Sequence, residues 1–279
     1  MGIIISVDQV KKLQGTREVQ FIDCRFNLQD PLEGSREFNK AHLPGAVYFD
    51  LEKDLSGTAS NGGGRHPFPN KEHLVHKLEQ YGITKDTTLI AYDNPKSPTA
   101  ARFYWFMKVL GHDEVYILDG GFQAWESSGY SVSSEPPTKV ASTYEVKLKN
   151  ELLATQAEVQ SSLEDLDVGI VDARSFERFA GWKEPKDEKA GHIPSAANYE
   201  WTKVFDQQGF WKTTQELQEL FSPLNEMDSF IVYCGSGVTA APLAVALREA
   251  NFPKVKLYVG SWSDWISNED NPIHVIPDS

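Results

Sequence analysis

The segment Cys234-Gly235-Ser236-Gly237-Val238-Thr239-Ala240 holds the residue types best suited to covalent chemistry. Phe230–Tyr233 is a short apolar run with strand character, and Ala240–Ala250 has helical periodicity. Cys234 therefore sits where a strand ends and a helix begins. The two glycines let the backbone curl so that successive N–H groups face the sulfur. Those amides and the helix N-terminus favour the thiolate, which is the nucleophilic form. A free cysteine is most often a small buried hydrophobe. Here the preceding strand already supplies the core and the glycines pack poorly, so a nucleophile is the stronger reading. The second cysteine, Cys24, lies between Asp23 and Arg25 without a glycine loop and reads as a packed, inert thiol.

The elements that position this loop occur twice. Phe21-Ile22-Asp23-Cys24-Arg25 returns as Ile170-Val171-Asp172-Ala173-Arg174, and Ala41-His42-Leu43-Pro44-Gly45-Ala46 as Gly191-His192-Ile193-Pro194-Ser195-Ala196. Leu89–Asp93 matches Phe230–Cys234, and Gly121–Trp125 matches Ser261–Trp265, all in the same order. Two copies of one fold are implied. The proline-bearing stretch Ser133–Thr138 marks the join, giving a first domain over 1–140, a linker over 141–148 and a second domain over 149–279. Strands are expected at 89–92, 115–118, 169–172, 230–233 and 255–259, and helices at 99–110, 213–221 and 239–250, with Thr213 or Thr214 as an N-cap. Short apolar strands alternating with helices predict an α/β fold, each domain a mostly parallel sheet with helices on both faces. Ligands of such sheets sit beyond the carboxyl ends of the strands. At that place the first copy has Asp93-Asn94-Pro95-Lys96-Ser97-Pro98, where a carboxylate replaces the sulfur and prolines remove cradle N–H groups, so only the second copy is expected to be catalytic.

Composition narrows the function classes. The chain has 279 residues, 40% hydrophobic, with 27 basic against 40 acidic groups and a net charge of −13. That charge argues against nucleic-acid or anionic-membrane partners. Two cysteines without a C-x-x-C pair give neither a disulfide framework nor a zinc or dithiol redox site. The first ten residues lack a basic, apolar leader pattern, and no stretch approaches the roughly 18 apolar residues of a spanning helix. A cytoplasmic setting is expected.

Taken together, Ala41–Ala46, Asp119-Gly120-Gly121-Phe122 with Trp125, Gly191–Ala196, Gly260-Ser261-Trp262 with Trp265, and the Cys234 loop resemble the tandem-rhodanese sulfurtransferases over nearly all of both halves. The resemblance implies two rhodanese-like domains, the first inactive. Gly235-Ser236-Gly237-Val238-Thr239 is similar to the loop of the 3-mercaptopyruvate branch, whereas thiosulfate-preferring members carry basic residues just after the cysteine. By the same resemblance Arg178 binds the donor's carboxylate, a contact suited to its planar fork. Lys186 stands where the branch has a second arginine, keeping the charge without the fork. Ser236, His66 and Glu52 match a Ser-His-acid arrangement found in some members, a route for the proton that the departing enolate needs. Arg174, His42 and His192 recur with counterparts in both copies and read as structural.

The implied reaction is ping-pong. The Cys234 thiolate takes sulfur from a small anionic donor, 3-mercaptopyruvate, and passes it to a thiol, cyanide or a thioredoxin-like protein. Thiosulfate:cyanide transfer by the same cysteine is the enzymatic alternative, and a non-catalytic binding or regulatory module is the alternative of another class. A cysteine phosphatase would need Cys-x5-Arg, but the residue six past Cys234 is Ala240.

Overall fold

A computed structural model describes residues 2–59 and 63–278. The chain divides into two compact α/β units, each built on a parallel sheet. The first comprises Met1–Gly57, Pro69–Lys149 and Phe205–Trp211, and the second Thr58–Phe68, Asn150–Val204 and Lys212–Ser279.

In the first unit the chain runs β1 (Ile4–Ile5), α1 (Val7–Gln14), β2 (Val19–Asp23), α2 (Glu33–Lys40), β3 (Val47–Tyr48), α3 (Lys71–Gln80), β4 (Thr88–Tyr92), α4 (Thr99–Val109), β5 (Val115–Leu118) and α5 (Gly121–Ser127). The sheet order is β1-β5-β4-β2-β3, with every pairing parallel. The second unit runs α6 (Gln156–Ser161), β6 (Val168–Asp172), α7 (Phe176–Ala180), β7 (Ala197–Asn198), α8 (Thr214–Phe221), β8 (Ser229–Tyr233), α9 (Ala240–Glu249), β9 (Val255–Leu257) and α10 (Ser261–Trp265). Its order is β7-β6-β8-β9, again parallel. The central strand β8 is apolar and almost wholly buried, as a strand covered on both faces must be. α8 starts at Thr213, whose hydroxyl accepts from the Glu216 N–H in a capping box. The expected strand 255–259 ends at Leu257, because the chain turns at Tyr258 to enter α10.

The repeated motifs have one structural cause. Asp23 pairs in register with Tyr92, and Asp172 with Tyr233. Arg25 Nη2 donates to Asp23 at 2.6 Å and to the Ala41 carbonyl at 2.6 Å. Arg174 does the same with Asp172 at 2.6 Å and the Gly191 carbonyl at 2.7 Å. Both ion pairs are buried, so their charges and spare lone pairs must be satisfied internally, and the carbonyl contact completes each set. His42 and His192 each place Nδ1 2.7 Å from a backbone oxygen, of Phe38 and Phe179, and stack on those same rings. Each Asp-x-Arg thus clasps a strand end to the Ala41 or Gly191 segment, and each histidine ties that segment to the helix before it.

The stretch expected to be a free linker is instead part of the first unit. Val140 and Ser142 donate backbone N–H groups to Gln80 and Glu79 carbonyls, and Lys147 and Lys149 to Leu110 and Val109, at 2.8–3.0 Å. Tyr144 is buried and meets His112 Nδ1 at 2.9 Å. The prolines at 136 and 137 precede this run, so its N–H groups are free to bond.

Candidate active site: the Cys234 loop

Cys234 follows β8 directly and is 1% exposed. Gly237 N–H donates to its Sγ at 3.1 Å. Gly237 has φ +77°, and a Cβ there would stand 2.1 Å from the Val259 carbonyl oxygen, so only glycine closes the loop at this point. Val238 is buried, and Thr239 opens α9 without a side-chain capping bond. The start of α10 holds the loop from the other side. Trp262 N–H donates to the Cys234 carbonyl at 2.9 Å, and Ser263 N–H to the Gly235 carbonyl at 3.0 Å.

Ser261, which the sequence marks only as part of a repeated motif, lies beside the sulfur. Its Oγ accepts from Cys234 N–H at 3.1 Å, donates to the Tyr258 carbonyl at 2.8 Å and stands 3.9 Å from Sγ. Its φ is +55°, a conformation that costs a non-glycine residue roughly 1–2 kcal/mol. The matching residue of the first copy is Gly121. Of these two matching positions, a side chain is kept at positive φ only in the second copy, where its hydroxyl lies beside Cys234.

A cationic wall faces Gly235. A Cβ at that position would be 3.1 Å from Nη2 of Arg178, 3.2 Å from its Nη1, and 3.1 Å from Nη2 of Arg65. Arg178 is fixed by a bidentate pair with Glu184 and a further contact to Asp187 at 3.0 Å, both carboxylates being 3% exposed. Arg65 pairs with the other oxygen of Asp187. Burial first, and the like charge of Arg178 second, push Arg65 below the usual guanidinium value.

The remaining expected site residues are less gathered. Lys186 is exposed, and only its backbone N–H is engaged, donating to Glu184 at 3.0 Å. Glu184 and Asp187 are occupied by arginines, whose forks suit buried carboxylates better than an ammonium does. Ser236 is half-buried, and its hydroxyl has no hydrogen-bond partner among the described residues, so the expected Ser236–His66 hydrogen bond is not formed. His66 is half-buried and belongs to the second unit. Glu52 is an exposed residue of the first unit; the buried carboxylate near it is Asp54, paired with Lys77 at 2.5 Å.

At the corresponding place of the first unit, Asp93 accepts from Ala100 N–H at 2.8 Å, and burial raises its carboxyl to about 7. The Asp93–Ser97 loop is covered by Phe205, Gly209 and Trp211, leaving a void of only about 10 Å³. Trp211 N–H donates to Asp119 there at 2.9 Å. The position is filled with protein as well as lacking a nucleophile. Cys24 is fully buried, and burial together with Asp93 and Asp23 drives its thiol well above the usual range, so it is held neutral.

The strand, loop and helix arrangement is present twice, and so is the family it matches. The Rhodanese-like domain family matches residues 6–128 and again 155–268. The chain is a tandem member of the rhodanese family. Curated relatives include a probable 3-mercaptopyruvate sulfurtransferase of Pseudomonas aeruginosa, 36% identical over 97% of each chain. The 3-mercaptopyruvate sulfurtransferase of Escherichia coli K12 is 32% identical over 93% of each. A thiosulfate sulfurtransferase of Gallus gallus is 28% identical over 88% of this chain and 86% of its own. The crystal structure of the E. coli 3-mercaptopyruvate enzyme superposes with a TM-score of 0.81 at 30% identity, covering 94% of this chain and all of that one. No helix among the described residues is long and apolar enough to cross a membrane.

Proposed function

We propose that the protein is a sulfurtransferase that takes sulfur from 3-mercaptopyruvate onto Cys234. The single observation that carries this reading is a buried sulfur receiving a loop N–H, with two guanidiniums beside the next residue, Gly235. The Cys234 thiolate attacks the donor's sulfur, forming an S–S bond. The donor's C–S bond breaks, and its electron pair goes to carbon, giving the enolate of pyruvate. One proton then converts the enolate to pyruvate, leaving Cys234 as a persulfide. A thiol, cyanide or a thioredoxin-like protein removes the outer sulfur and restores the thiolate, with no metal or organic cofactor. Ser236, two residues from the sulfur and with an uncommitted hydroxyl, is the nearest proton relay by sequence. His66, of the same unit, would act behind it. Gly235, Val238 and Thr239 shape the rim on which the outer sulfur rests.

Two relatives that act on the same donor by name support the substrate. A loop without its own cations also suits a monocarboxylate better than a compact dianion. Both cysteines are free, which fits a reducing, cytoplasmic setting. Intact-mass measurement after mixing with mercaptopyruvate is the direct test. Wild type and Cys24→Ser should each gain one sulfur and Cys234→Ser none; an unmodified wild type would overturn the reading. Thiosulfate transfer is the second reading, favoured by the paired guanidiniums, which also suit a sulfonate-like group. The ratio of kcat/KM for the two donors decides between them.

A further inference from the structure

The wall beside Gly235 has two arginines, and the family resemblance assigns a role only to Arg178. Arg65 comes from a glycine-rich stretch far upstream, yet its position is tightly built. Gly63 N–H donates to Asp264 Oδ1 at 2.5 Å, and Arg65 N–H to Ser263 Oγ at 3.1 Å. Gly64, with φ +76°, lets the chain pass so close to α10 that a Cβ would be 2.2 Å from the Gly260 carbonyl oxygen. The stretch is therefore fastened to the same helix start that holds Cys234 and Gly235 in place.

Asp187 then sets the spacing of the two cations. It gives one oxygen to Arg65 and the other to Arg178, so like charges are held side by side with their remaining edges turned to the loop. Among the described residues, neither Nη2 of Arg65 nor Nη1 of Arg178 makes a hydrogen bond, and both lie within reach of the space over Gly235. Two donor groups from two forks match the two oxygens of one carboxylate. The Arg65 side chain is 34% exposed, so an arriving anion can reach it.

We propose that Arg65 is the second anion anchor of the Cys234 site, holding the donor's carboxylate together with Arg178 in the role that the sequence pattern gives to Lys186. Its link to the sulfur donor rests on the sulfurtransferase reading; its link to anion recognition at Cys234 does not. The first test uses alkylation, in which the Cys234 thiolate displaces iodide from iodoacetate, an anion, or from iodoacetamide, its neutral analogue. The rate ratio of the two, read at Cys234 by peptide mass spectrometry, reports anion recognition alone. Arg65→Gln should lower that ratio about tenfold, the loss of one charge-assisted hydrogen bond. Arg65→Lys should fall between, and it keeps the test open should the glutamine variant fail to fold. A ratio unchanged in both variants, or lowered by Lys186→Gln instead, would overturn the proposal.

The second test compares mercaptopyruvate with 1-mercaptopropan-2-one, in which a methyl replaces the carboxylate. Arg65→Gln should lower kcat/KM for the first, mainly through KM, by about tenfold more than for the second. Equal losses would show a structural role and overturn the assignment. If wild type takes sulfur from neither donor while the alkylation ratio still falls in Arg65→Gln, the donor reading fails and the anion anchor stands.

Discussion

At the scale of single residues, the chemistry depends on a few atoms around one sulfur. Gly237 supplies the amide at 3.1 Å, and Ser261 ties the cysteine's own backbone to the turn before α10. Ser261 separates strain from hydrogen bonding. Ser261→Gly removes the hydroxyl but relieves the positive φ, whereas Ser261→Ala removes the hydroxyl and keeps the strain. We expect both to slow persulfide formation, with the alanine variant less stable than the glycine variant by about 1 kcal/mol. Rapid-quench mass measurement and denaturant melts read the two effects apart. Equal stability of the two variants would count against strain at this position.

At the scale of elements, the clasps decide stability. In β6 and the turn after it, Asp172 and Arg174 are fully buried partners. Arg174→Met would leave the Asp172 charge buried without its cation, and we expect a loss of about 3–5 kcal/mol in chemical denaturation. A loss below 1 kcal/mol would mean the pair is dispensable. After β4, Asp93 offers the opposite case. Its folded-state carboxyl is raised from 3.8 to about 7 by burial, so the folded state holds a proton that the unfolded state has released. Stability from this group is present below about pH 4 and is lost, by about 1 kcal/mol per pH unit, as pH climbs toward 7. Asp93→Asn cannot ionise, so its melting temperature relative to wild type should rise between pH 5 and pH 8. A pH-independent difference would contradict that account.

At the scale of the whole molecule, the two units do not follow the simple division of the chain. Thr58–Phe68 belongs to the second unit although it lies in the first half, and Phe205–Trp211 belongs to the first although it lies in the second. Cutting the chain between residues 140 and 149 therefore leaves each half without a piece of its own unit. The isolated 149–279 half lacks the backbone donor to Asp264 and the Arg65 partner of Asp187. We expect that half to melt at lower temperature than the intact chain and to take up sulfur at least about tenfold more slowly, losing a charge-assisted contact of the site. Uptake at the intact chain's rate would show that the upstream segment is idle. The net charge of −13 sits easily with an anionic donor, because two guanidiniums buffered by Asp187 and Glu184 make a local site that the total does not register.

The sequence by itself determined the doubled α/β architecture, and it nominated Cys234 as the nucleophile and the first copy as the inactive one. Each was legible because its cause is local: apolar runs set strands, Asp-x-Arg clasps recur at the same strand ends, and glycines flank Cys234. The family resemblance also marked Arg178, which lies a few residues past such a clasp. Tertiary structure alone decided the rest. Arg65 is far from Cys234 along the chain and has no counterpart in the repeat; the resemblance drew notice to its neighbour His66 and not to the arginine itself. Ser261 looks like any serine until its backbone angle is known. The linker over 141–148 has ordinary strand-forming residues, and only the free carbonyls of the first unit explain why it is bound. Lys186 carries the expected charge, but the carboxylates beside it pair with the Arg65 and Arg178 forks, a preference of contact geometry that charge along the chain does not announce.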